Sequence, residues 1–531
     1  MNNKKLQVWL PLFFSFSMLI GIFLGYKLHG NMPISRNIFQ SGGRGSLQEV
    51  FELIRTRYVD EVSLDSLGQT AIENMLEKLD PHSVYIPAKE LIGVNEDLAG
   101  RFEGIGVEFN IFEDTVHVLT VLKDGPSDQA GLFPGDRFLL VGDSLVAGTG
   151  ITSEGIRSLL RGPRGSSVSV TVLRNNEKKP FTIIRGFIPL YSLDASYLIS
   201  PGTGYIRLNK FSETTYEEFM ASLEKLQAAG MKELMLDLRD NGGGIMDEAV
   251  EIADEFLDGN KLIVYTEGKH TPRKEYTCRR NGLFEKGKLI LLMNEGSASA
   301  SEVLAGALQD WDRAIVIGRR SFGKGLVQEQ YTLRDGSALR LTVARYYSPL
   351  GRSIQKSYTG GIDKYKEEIF DRYQNGKLQN ADSNKNTNGK AYLTGEGKKV
   401  YGGGGISPDI FIPLDTMQID TSLSPLYIRN TMSNFAYRYF ISHKAQFDQF
   451  KNPADFASSY KVDDAVLEEL FQFAKKDSIT LGTLNPGSKD KLRLRVKSLL
   501  GRQQWRSQGY FEVINAEDKM VQKAMEVMKK N

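Results

Sequence analysis

The sequence predicts a multi-domain α/β protein. Its 531 residues are enough for two to four domains with large hydrophobic cores. Three patterns predict the class. Apolar runs typical of strands alternate with amphipathic helical segments after about residue 190, glycine turns separate short β-rich runs in residues 96–185, and helical periodicity dominates both ends of the chain.

Composition excludes several classes of function. The 67 basic and 65 acidic side chains nearly balance, so a nucleic-acid partner is not expected. The single cysteine, Cys278, excludes an internal disulfide framework and a metal site built from several cysteines. The chain has no HExxH motif, so zinc peptidase chemistry has no support, and we expect neither a metal nor a cofactor.

The N-terminus predicts a membrane anchor. Leu6–Tyr26 has no charged residue and is long enough to cross a bilayer, which takes about 20 residues. It exceeds the apolar core of a signal peptide, about 7–15 residues, and no clear cleavage site follows it. We therefore expect residues 1–29 to remain as a single-pass anchor in the inner (cytoplasmic) membrane, with residues 30–44 as a linker and an extracytoplasmic, periplasmic body. The alternative is a cleaved signal peptide.

Residues 45–95 show helical periodicity, with apolar residues at steps of three and four, as from Val50 to Tyr58. The pattern is interrupted at Leu79–Ser83 (LDPHS), where proline imposes a turn. His82 in this turn is a candidate catalytic residue. A lone histidine beside Asp-Pro is more often structural.

Residues 96–185 predict a small β domain with one helix near Ser153–Leu160. GIGVEF (104–109) and AGLFPGD (130–136) resemble a PDZ domain of the bacterial protease type. The alternative is a glycine-rich hairpin in some other small β domain. The resemblance implies that a loop binds the C-terminal carboxylate of a peptide, which adds as a strand beside it. The residues of this loop are Gly104, Ile105, Gly106 and Val107.

Residues 186–355 predict the α/β core. Leu234–Leu238 and Leu289–Met293 are near-continuous apolar runs typical of buried strands. The first leads into the glycine turn RDNGGG (239–244), and the second leads into Asn294–Gln328.

The stretch Asn294–Gln328 contains the candidate chemistry: a run of small residues with three serines, then a lysine between glycines. Small residues fill a core poorly, so a role other than packing is expected. A serine hydroxyl becomes a good nucleophile when a neighbour takes its proton, and none of the five histidines lies in a similar context. No clean GxSxG motif is present, which disfavours an α/β-hydrolase. These patterns alone do not choose among the three serines, Ser297, Ser299 and Ser301.

Lysine can serve as the base if it is neutral. A free lysine has a pKa of about 10.4, which costs roughly 4–5 kcal/mol at pH 7. Burial disfavours the ammonium and removes most of that cost. Lys324 has uncharged neighbours, and Arg319 and Arg320 would lower its pKa further if they lie near it. The alternative is a surface lysine in a glycine turn.

Six fragments, in order, resemble the C-terminal processing (tail-specific) serine peptidases. They are LDPHS, the PDZ motifs, DLRDNGGG, NEGSASASE, RAIVIGRRSFGKG and YYSPLGRSIQ, with GISPD further on. The resemblance covers roughly residues 45–355. It implies a crotonase/Clp-like α/β protease core with an inserted PDZ domain and helical N- and C-terminal segments.

The resemblance also implies roles for single residues. The nucleophile falls on the middle serine, Ser299, the base falls on Lys324, and Gln328 would orient the lysine amine. Ser301 would instead cap the helix that follows, whose N-terminus favours an oxyanion nearby.

The expected oxyanion donors are the N–H of Ala300 and one from Gly243 or Gly244. The family commonly has proline where this chain has Gly242, which loosens the turn but leaves both candidate donors.

Arg161, at the end of the PDZ helix, resembles a position that couples peptide binding to assembly of the active site in some family members. Arg164 competes for this role, and a solvated arginine is the alternative.

Three segments complete the chain. Residues 356–400 are polar and rich in Lys, Asn and Gly, which predicts a mobile insertion. Residues 401–423 return to the core, and residues 424–531 are largely helical and amphipathic.

The resulting hypothesis is a serine endopeptidase that binds proteins with unstructured, apolar C-terminal tails and cleaves them with a Ser/Lys dyad. By analogy with the family, the helical ends allow a homodimer. One alternative is a catalytically silent PDZ scaffold that only binds tails. Another is a non-peptidase enzyme on a crotonase-like core.

Overall fold

The computed structural model describes residues 44–380, 389–414, 423–482 and 484–530, together with residues 15, 17 and 18. The expected anchor, Leu6–Tyr26, lies outside the described residues except at those three positions. No helix in the described ranges is both long enough and apolar enough to span a membrane. The chain divides into two compact units, one ending at Asn74 and one beginning at Met75.

The helices of the described residues are α1 Arg44–Arg57, α2 Leu64–Glu77, α3 Ala88–Ala99, α4 Pro126–Ala130, α5 Ser153–Leu160, α6 Thr215–Ala228, α7 Met246–Asp254, α8 Ala300–Asp310, α9 Ile362–Gln374, α10 Ser424–Ile428, α11 Thr431–Ser442, α12 Lys444–Phe447, α13 Pro453–Ser459, α14 Asp464–Lys476, α15 Pro486–Ile514 and α16 Lys519–Lys529.

The strands are β1 Val84–Ile86, β2 Arg101–Gly104, β3 Val107–Phe112, β4 Thr115–Val121, β5 Arg137–Val141, β6 Ser144–Leu145, β7 Ser167–Arg174, β8 Glu177–Ile184, β9 Gly186–Pro189, β10 Leu193–Ser200, β11 Thr203–Leu208, β12 Glu233–Asp237, β13 Leu262–Glu267, β14 Lys274–Thr277, β15 Leu289–Met293, β16 Ile315–Gly318, β17 Leu326–Thr332, β18 Ala338–Tyr347, β19 Ala391–Leu393, β20 Lys399–Tyr401 and β21 Ile410–Phe411.

The central sheet has the strand order β10-β11-β12-β15-β16-β21, and all its pairs except β10–β11 are parallel. Alternate residues of each strand face opposite sides. Leu236 and Leu291 pack in the same cluster as residues of α6, α7 and α8. Met235 and Ile290 pack on the other face with residues of α16, near the end of the chain. Both faces are therefore buried, which explains the near-continuous apolar runs and confirms the α/β prediction.

A second sheet places the loop between β16 and β17 beside the LDPHS turn. β17 forms an antiparallel hairpin with β18, and β18 also pairs with β1. Since β1 begins directly after Ser83, this pairing brings Leu79–Ser83 next to the strand that contains Gln328.

The β domain is a sheet of order β3-β4-β5-β7-β8, with β6 paired to β5. Ile156 and Leu160 of α5 pack into its core with residues of the strands such as Val118 and Phe138. The short antiparallel pair β2–β9 lies where the chain enters and leaves this domain. β3 pairs only with β4 among the described strands and so forms one edge of the sheet.

The described part of residues 356–400 differs from the mobile insertion expected from its composition. It contains α9 and the hairpin β19–β20. Tyr365 and Arg372 on α9 are buried although the segment is polar, because their polar atoms are paired with other parts of the chain. Hydropathy does not detect burial of this kind.

Candidate active site

Ser299 lies where the chain passes from β15 into α8. The turn after β15 ends at Ser299, which immediately precedes the first residue of α8. Its backbone has φ +56° and ψ −116°. Positive φ is uncommon for a residue other than glycine, and such strain is concentrated at functional sites. The helix thus begins two residues earlier than a cap at Ser301 would place it.

The two neighbouring serines have structural hydrogen bonds. Ser297 Oγ donates to the Leu238 carbonyl at 2.8 Å, and Ser301 Oγ donates to the Asn241 carbonyl at 2.9 Å. Both serines are fully buried. Ser299 is only half-buried, and it is the N-cap of α8, where Glu302 forms a capping box with it. Of the three serines, Ser299 lines the cavity described next.

A cavity of about 660 Å³ joins the candidate residues. Ser299, Ala300, Lys324 and Gln328 line it together with the glycine turn after β12. The apolar part of its wall is formed by Ile245, Met246, Val303, Leu326 and Val327.

Lys324 is half-buried between the core and the β17–β18 hairpin. Burial lowers its pKa below the ordinary lysine value, and the positive charge of Arg340 on β18 lowers it further. The sequence neighbours Arg319 and Arg320 do not contribute, because they form ion pairs with Glu295 and Glu368. The cationic neighbour of Lys324 therefore comes from the adjacent strand of the hairpin.

Gln328 holds the lysine amine. Lys324 Nζ donates to Gln328 Oε1 at 3.0 Å, while Gln328 Nε2 donates to the backbone carbonyl of His82. In this conformation the lysine bonds to Gln328 and not to Ser299 Oγ. The His82 ring is neutral, since burial and Lys324 lower its pKa to about 4.

The buried carboxylate of Glu302 bonds both to the backbone at Ser299 and to the backbone of the loop that contains Lys324. Glu302 Oε2 accepts from the backbone N–H of Ser299 at 2.9 Å and that of Lys324 at 2.8 Å. Its Oε1 accepts from the N–H of Gly323 at 2.7 Å and from Ser321 Oγ. Burial raises the pKa of Glu302 to about 7, although these donors favour the ionised form. Glu302 therefore fixes the backbone of Ser299 relative to the backbone of Lys324.

The candidate oxyanion donors differ in availability. The N–H of Gly243 donates to Asn241 Oδ1 at 2.9 Å. The N–H groups of Ala300 and Gly244 have no acceptor among the described residues. Gly244 forms a bridge with Phe211 through hydrogen bonds of the residues on either side of Gly244. The N–H of Gly244 itself therefore points away from Phe211. The arrangement thus favours Ala300 and Gly244 as the pair.

Replacing Gly243 by alanine is expected to abolish peptidase activity. Gly243 has φ +94°, and an added Cβ would lie 2.7 Å from Ser299 Cβ and 2.6 Å from the Ala298 carbonyl. The turn or the nucleophile must move in response. An assay with a fluorogenic peptide would measure the loss. Gly202→Ala, at another positive-φ glycine with no atom within 4 Å of the added Cβ, is the control and should retain activity.

The PDZ residues line a second, smaller cavity of about 90 Å³. Gly104, Ile105, Gly106 and Val107 contribute to its wall with Leu160 of α5. This places the loop of four residues beside the free edge of β3.

Arg161 lies at the rim of this smaller cavity. Its guanidinium bonds to Glu96 of α3 at 2.8 Å and lies 4.7 Å from the centre of the Phe102 ring. Arg164 instead lies over the Phe187 ring, at 4.7 Å. Arg161 therefore connects the end of the PDZ helix to the helix before the domain.

Sequence analysis missed two contributors to the site. Glu302 appeared only as part of a serine-rich motif, and Tyr346 only as part of a late fragment. Tyr346 donates through its hydroxyl to the carbonyls of Lys324 at 2.6 Å and Ser299 at 3.2 Å. An acidic residue three positions after the nucleophile, at the start of a helix, was the available signal for Glu302. In the part of the chain that the structure describes, no cluster of three His, Cys, Asp or Glu side chains is arranged to hold a metal.

Comparison with family models matches four parts of the chain. Residues 202–364 match peptidase family S41, and residues 104–184 match a PDZ domain. Residues 40–90 match the N-terminal domain of the activating protease CtpB, and residues 423–506 match a family of unknown function.

Two relatives align with this chain over most of their own length. A carboxy-terminal-processing protease of Bartonella bacilliformis is 35% identical over 58% of this chain and 71% of the relative. A probable CtpA-like serine protease of Staphylococcus haemolyticus is 30% identical over 81% of this chain and 84% of the relative. Among solved structures, a photosystem II D1 C-terminal processing protease is 26% identical, with 72% of this chain and 88% of that chain covered and a TM-score of 0.35.

Proposed function

We propose, because this chain belongs to the C-terminal processing serine peptidases of family S41, that Ser299 is its nucleophile and Lys324 its general base. Membership confirms the resemblance drawn from the motifs and supports a serine-type peptidase over the silent scaffold and the non-peptidase enzyme. The observation that carries the assignment is the single cavity shared by a strained, half-buried Ser299 and a lysine whose pKa is lowered.

The reaction follows from this geometry. Neutral Lys324 takes the proton of Ser299, and Ser299 Oγ attacks the carbonyl carbon of the scissile bond. The N–H groups of Ala300 and Gly244 stabilise the oxyanion. Lys324 then donates its proton to the leaving amine, and water hydrolyses the acyl-enzyme. Gln328 holds the amine in the cavity, and the amine forms its hydrogen bond to Ser299 Oγ when substrate fills the cavity.

Cleavage of an unfolded protein with an apolar C-terminal tail tests the proposal. We expect Ser299→Ala to remove the activity and a chelator to leave the activity of the natural chain unchanged. Ser301→Ala is the matched control, because Ser301 bonds to a main-chain carbonyl and is expected to affect stability rather than cleavage. Cleavage by Ser299→Ala would exclude Ser299 as the nucleophile.

The PDZ domain selects substrates by their C-terminal tails. A peptide adding as a strand to the free edge of β3 would place its carboxylate at the loop of residues 104–107. The cavity there is small and partly lined by Ile105, Val107 and Leu160. Such a site favours a small, apolar terminal side chain.

Val107→Asp is expected to raise KM for tail-bearing proteins about tenfold or more, because its carboxylate would repel the carboxylate of the tail. Fluorescence anisotropy with a labelled peptide checks the loss of binding directly. Leu145→Asp, at an exposed position of β6 in the same domain, should leave KM unchanged. An unchanged KM for Val107→Asp would contradict selection through this groove.

The location of the enzyme is also proposed. Leu6–Tyr26 anchors the chain in the inner membrane and leaves the body in the periplasm, as its uncharged length suggests. Protease added outside spheroplasts should digest the body, and a chain lacking residues 1–29 should leave the membrane fraction. Protection of the body from that protease would contradict this orientation.

A homodimer formed through the N-terminal helices is proposed from their surface. α1 exposes Leu47, Val50 and Leu53, which repeat at three-residue steps along one side of the helix. Exposed apolar clusters of this kind mark contact surfaces. Val50→Lys should convert a dimer to a monomer in sedimentation, whereas a monomeric natural chain would exclude the dimer.

A further inference from the structure

Helix α9 is polar yet holds buried side chains. Its segment lies almost entirely beyond the residues matched to peptidase family S41, which end at Lys364. Tyr365 is 4% exposed and Arg372 is 1% exposed. Charged and polar side chains are rarely buried without partners, so the partners indicate what the helix does.

Arg372 bonds to the loop between β16 and β17, which contains the lysine base. Its guanidinium donates to the carbonyls of Ser321 at 2.8 Å and of Arg320 and Phe322 at 3.3 Å. Glu368, one turn earlier on α9, accepts from Arg372 Nε at 2.6 Å. A planar guanidinium fixes the relative positions of the groups it bonds, so three consecutive carbonyls of this loop are held by one side chain.

Tyr365 reaches the same lysine by a second route. Its hydroxyl lies 2.7 Å from His82 Nε2, and the His82 carbonyl accepts from Gln328 Nε2. An amide presents a donor at one end and an acceptor at the other, so this carbonyl requires Gln328 Oε1 to face Lys324. The residue whose carbonyl orients Gln328 is thus the residue whose ring bonds to Tyr365.

Few other contacts hold the His82 ring in position. Asp80 Oδ1 accepts from the His82 backbone N–H at 2.8 Å and fixes the main chain of the turn. The ring has edge contacts with Phe322, at 6.5 Å between centres, and with Tyr365, at 5.2 Å. Among the described residues, Tyr365 is the hydrogen-bond partner of the ring.

We propose that α9 is a strap that positions the general base. Tyr365 acts through His82 and Gln328, and Arg372 acts through the carbonyls of residues 320–322, to hold Lys324 Nζ where it takes the Ser299 proton. Both are positioning residues, since neither lines the substrate cavity. The inference rests on the proposed function of Lys324 and assigns a role to a segment beyond the peptidase match.

Tyr365→Phe tests the strap with the full chain in detergent. The change removes one oxygen and keeps the ring that packs against Phe322 and Lys356. We expect kcat to fall about 10- to 100-fold, with KM and Tm unchanged, because a displacement of about 1 Å at a catalytic group costs this much. Tyr373→Phe is the control. Tyr373 is 45% exposed on the same helix, and its change should leave kcat unaltered.

A double-mutant cycle separates positioning from a general structural effect. His82→Ala keeps the carbonyl that bonds to Gln328 but removes the ring that bonds to Tyr365. If both side chains act through one hydrogen bond, the double variant should lose no more kcat than the worse single variant. Additive losses, or losses that appear in Tm and KM instead of kcat, would overturn the proposal.

Arg372→Lys provides an independent route, since one ammonium cannot bond to three carbonyls as the guanidinium does. A natural kcat in both Tyr365→Phe and Arg372→Lys would exclude the strap. Ser299→Ala, measured in parallel, distinguishes failure of the proposed function from failure of the strap. Activity in that variant would overturn the proposed function, whereas an inactive Ser299→Ala beside unaffected Tyr365→Phe and Arg372→Lys variants overturns the strap alone.

Discussion

Replacing Lys324 by methionine is expected to lower kcat/KM by about 10⁴-fold, the upper range for loss of a general base. Methionine preserves much of the apolar stem that packs in the cavity but cannot accept a proton. KM should change little, because the tail is bound at the PDZ groove rather than at the lysine. Cleavage of a tail-bearing protein at several substrate concentrations separates the two constants.

A second lysine of the core provides the control. Lys261 is partly buried before β13, pairs with Asp258 and does not line the cavity. Lys261→Met should retain natural kcat and KM. If Lys324→Met retained more than a tenth of the activity, another group would have to be the base.

Glu302→Gln is expected to reduce kcat by about 10²-fold at pH 8. Each carboxylate oxygen accepts from two donors. A glutamine has only one acceptor oxygen, so its NH₂ end would face two donors that then lose their partner. The backbone of Ser299 or of the lysine loop must shift.

Loss of the Glu302 proton as the pH rises is expected to change stability and activity in opposite directions. Its folded pKa, about 7, is raised above the ordinary 4.5, so the folded state binds this proton more tightly. Its stabilising contribution is therefore complete below about pH 4.5 and is lost as the pH rises through about 7. Activity should instead rise through about pH 7, because only the ionised form accepts all four hydrogen bonds.

Calorimetry and kinetics on Glu302→Gln check this contrast, since the variant should lose this part of the pH dependence of stability. Glu218→Gln is the matched control. Glu218 also accepts from two backbone N–H groups, those of Ser192 and Leu193, but lies outside the active-site cavity. It should lower stability and leave kcat unchanged. An equal kcat loss in both variants would contradict a specific role for Glu302.

The sequence predicted the elements whose signals are local. The apolar runs at Leu234–Leu238 and Leu289–Met293 became central strands because both faces of the sheet are buried. The glycine motifs of the β domain and the helix Ser153–Leu160 were also predicted, because turns and helical spacing are set within a few residues.

Predictions that depended on contacts distant in sequence could not be made. Ser297 and Ser301 resemble Ser299 in sequence, but their hydroxyl groups bond to carbonyls of the chain after β12. Arg319 and Arg320 are adjacent to the lysine loop in sequence, yet Arg340 is the arginine that lowers the lysine pKa. The polar composition of α9 concealed a helix whose partners are backbone carbonyls rather than apolar side chains.

Covalent labelling of the full chain with a fluorophosphonate, mapped by mass spectrometry, tests the Ser299/Lys324 assignment most directly. We predict one adduct, on Ser299, that forms more slowly as the pH falls, forms far more slowly in Lys324→Met and is absent in Ser299→Ala. An adduct on Ser297 or Ser301, or labelling of Ser299 at the natural rate in Lys324→Met, would contradict it.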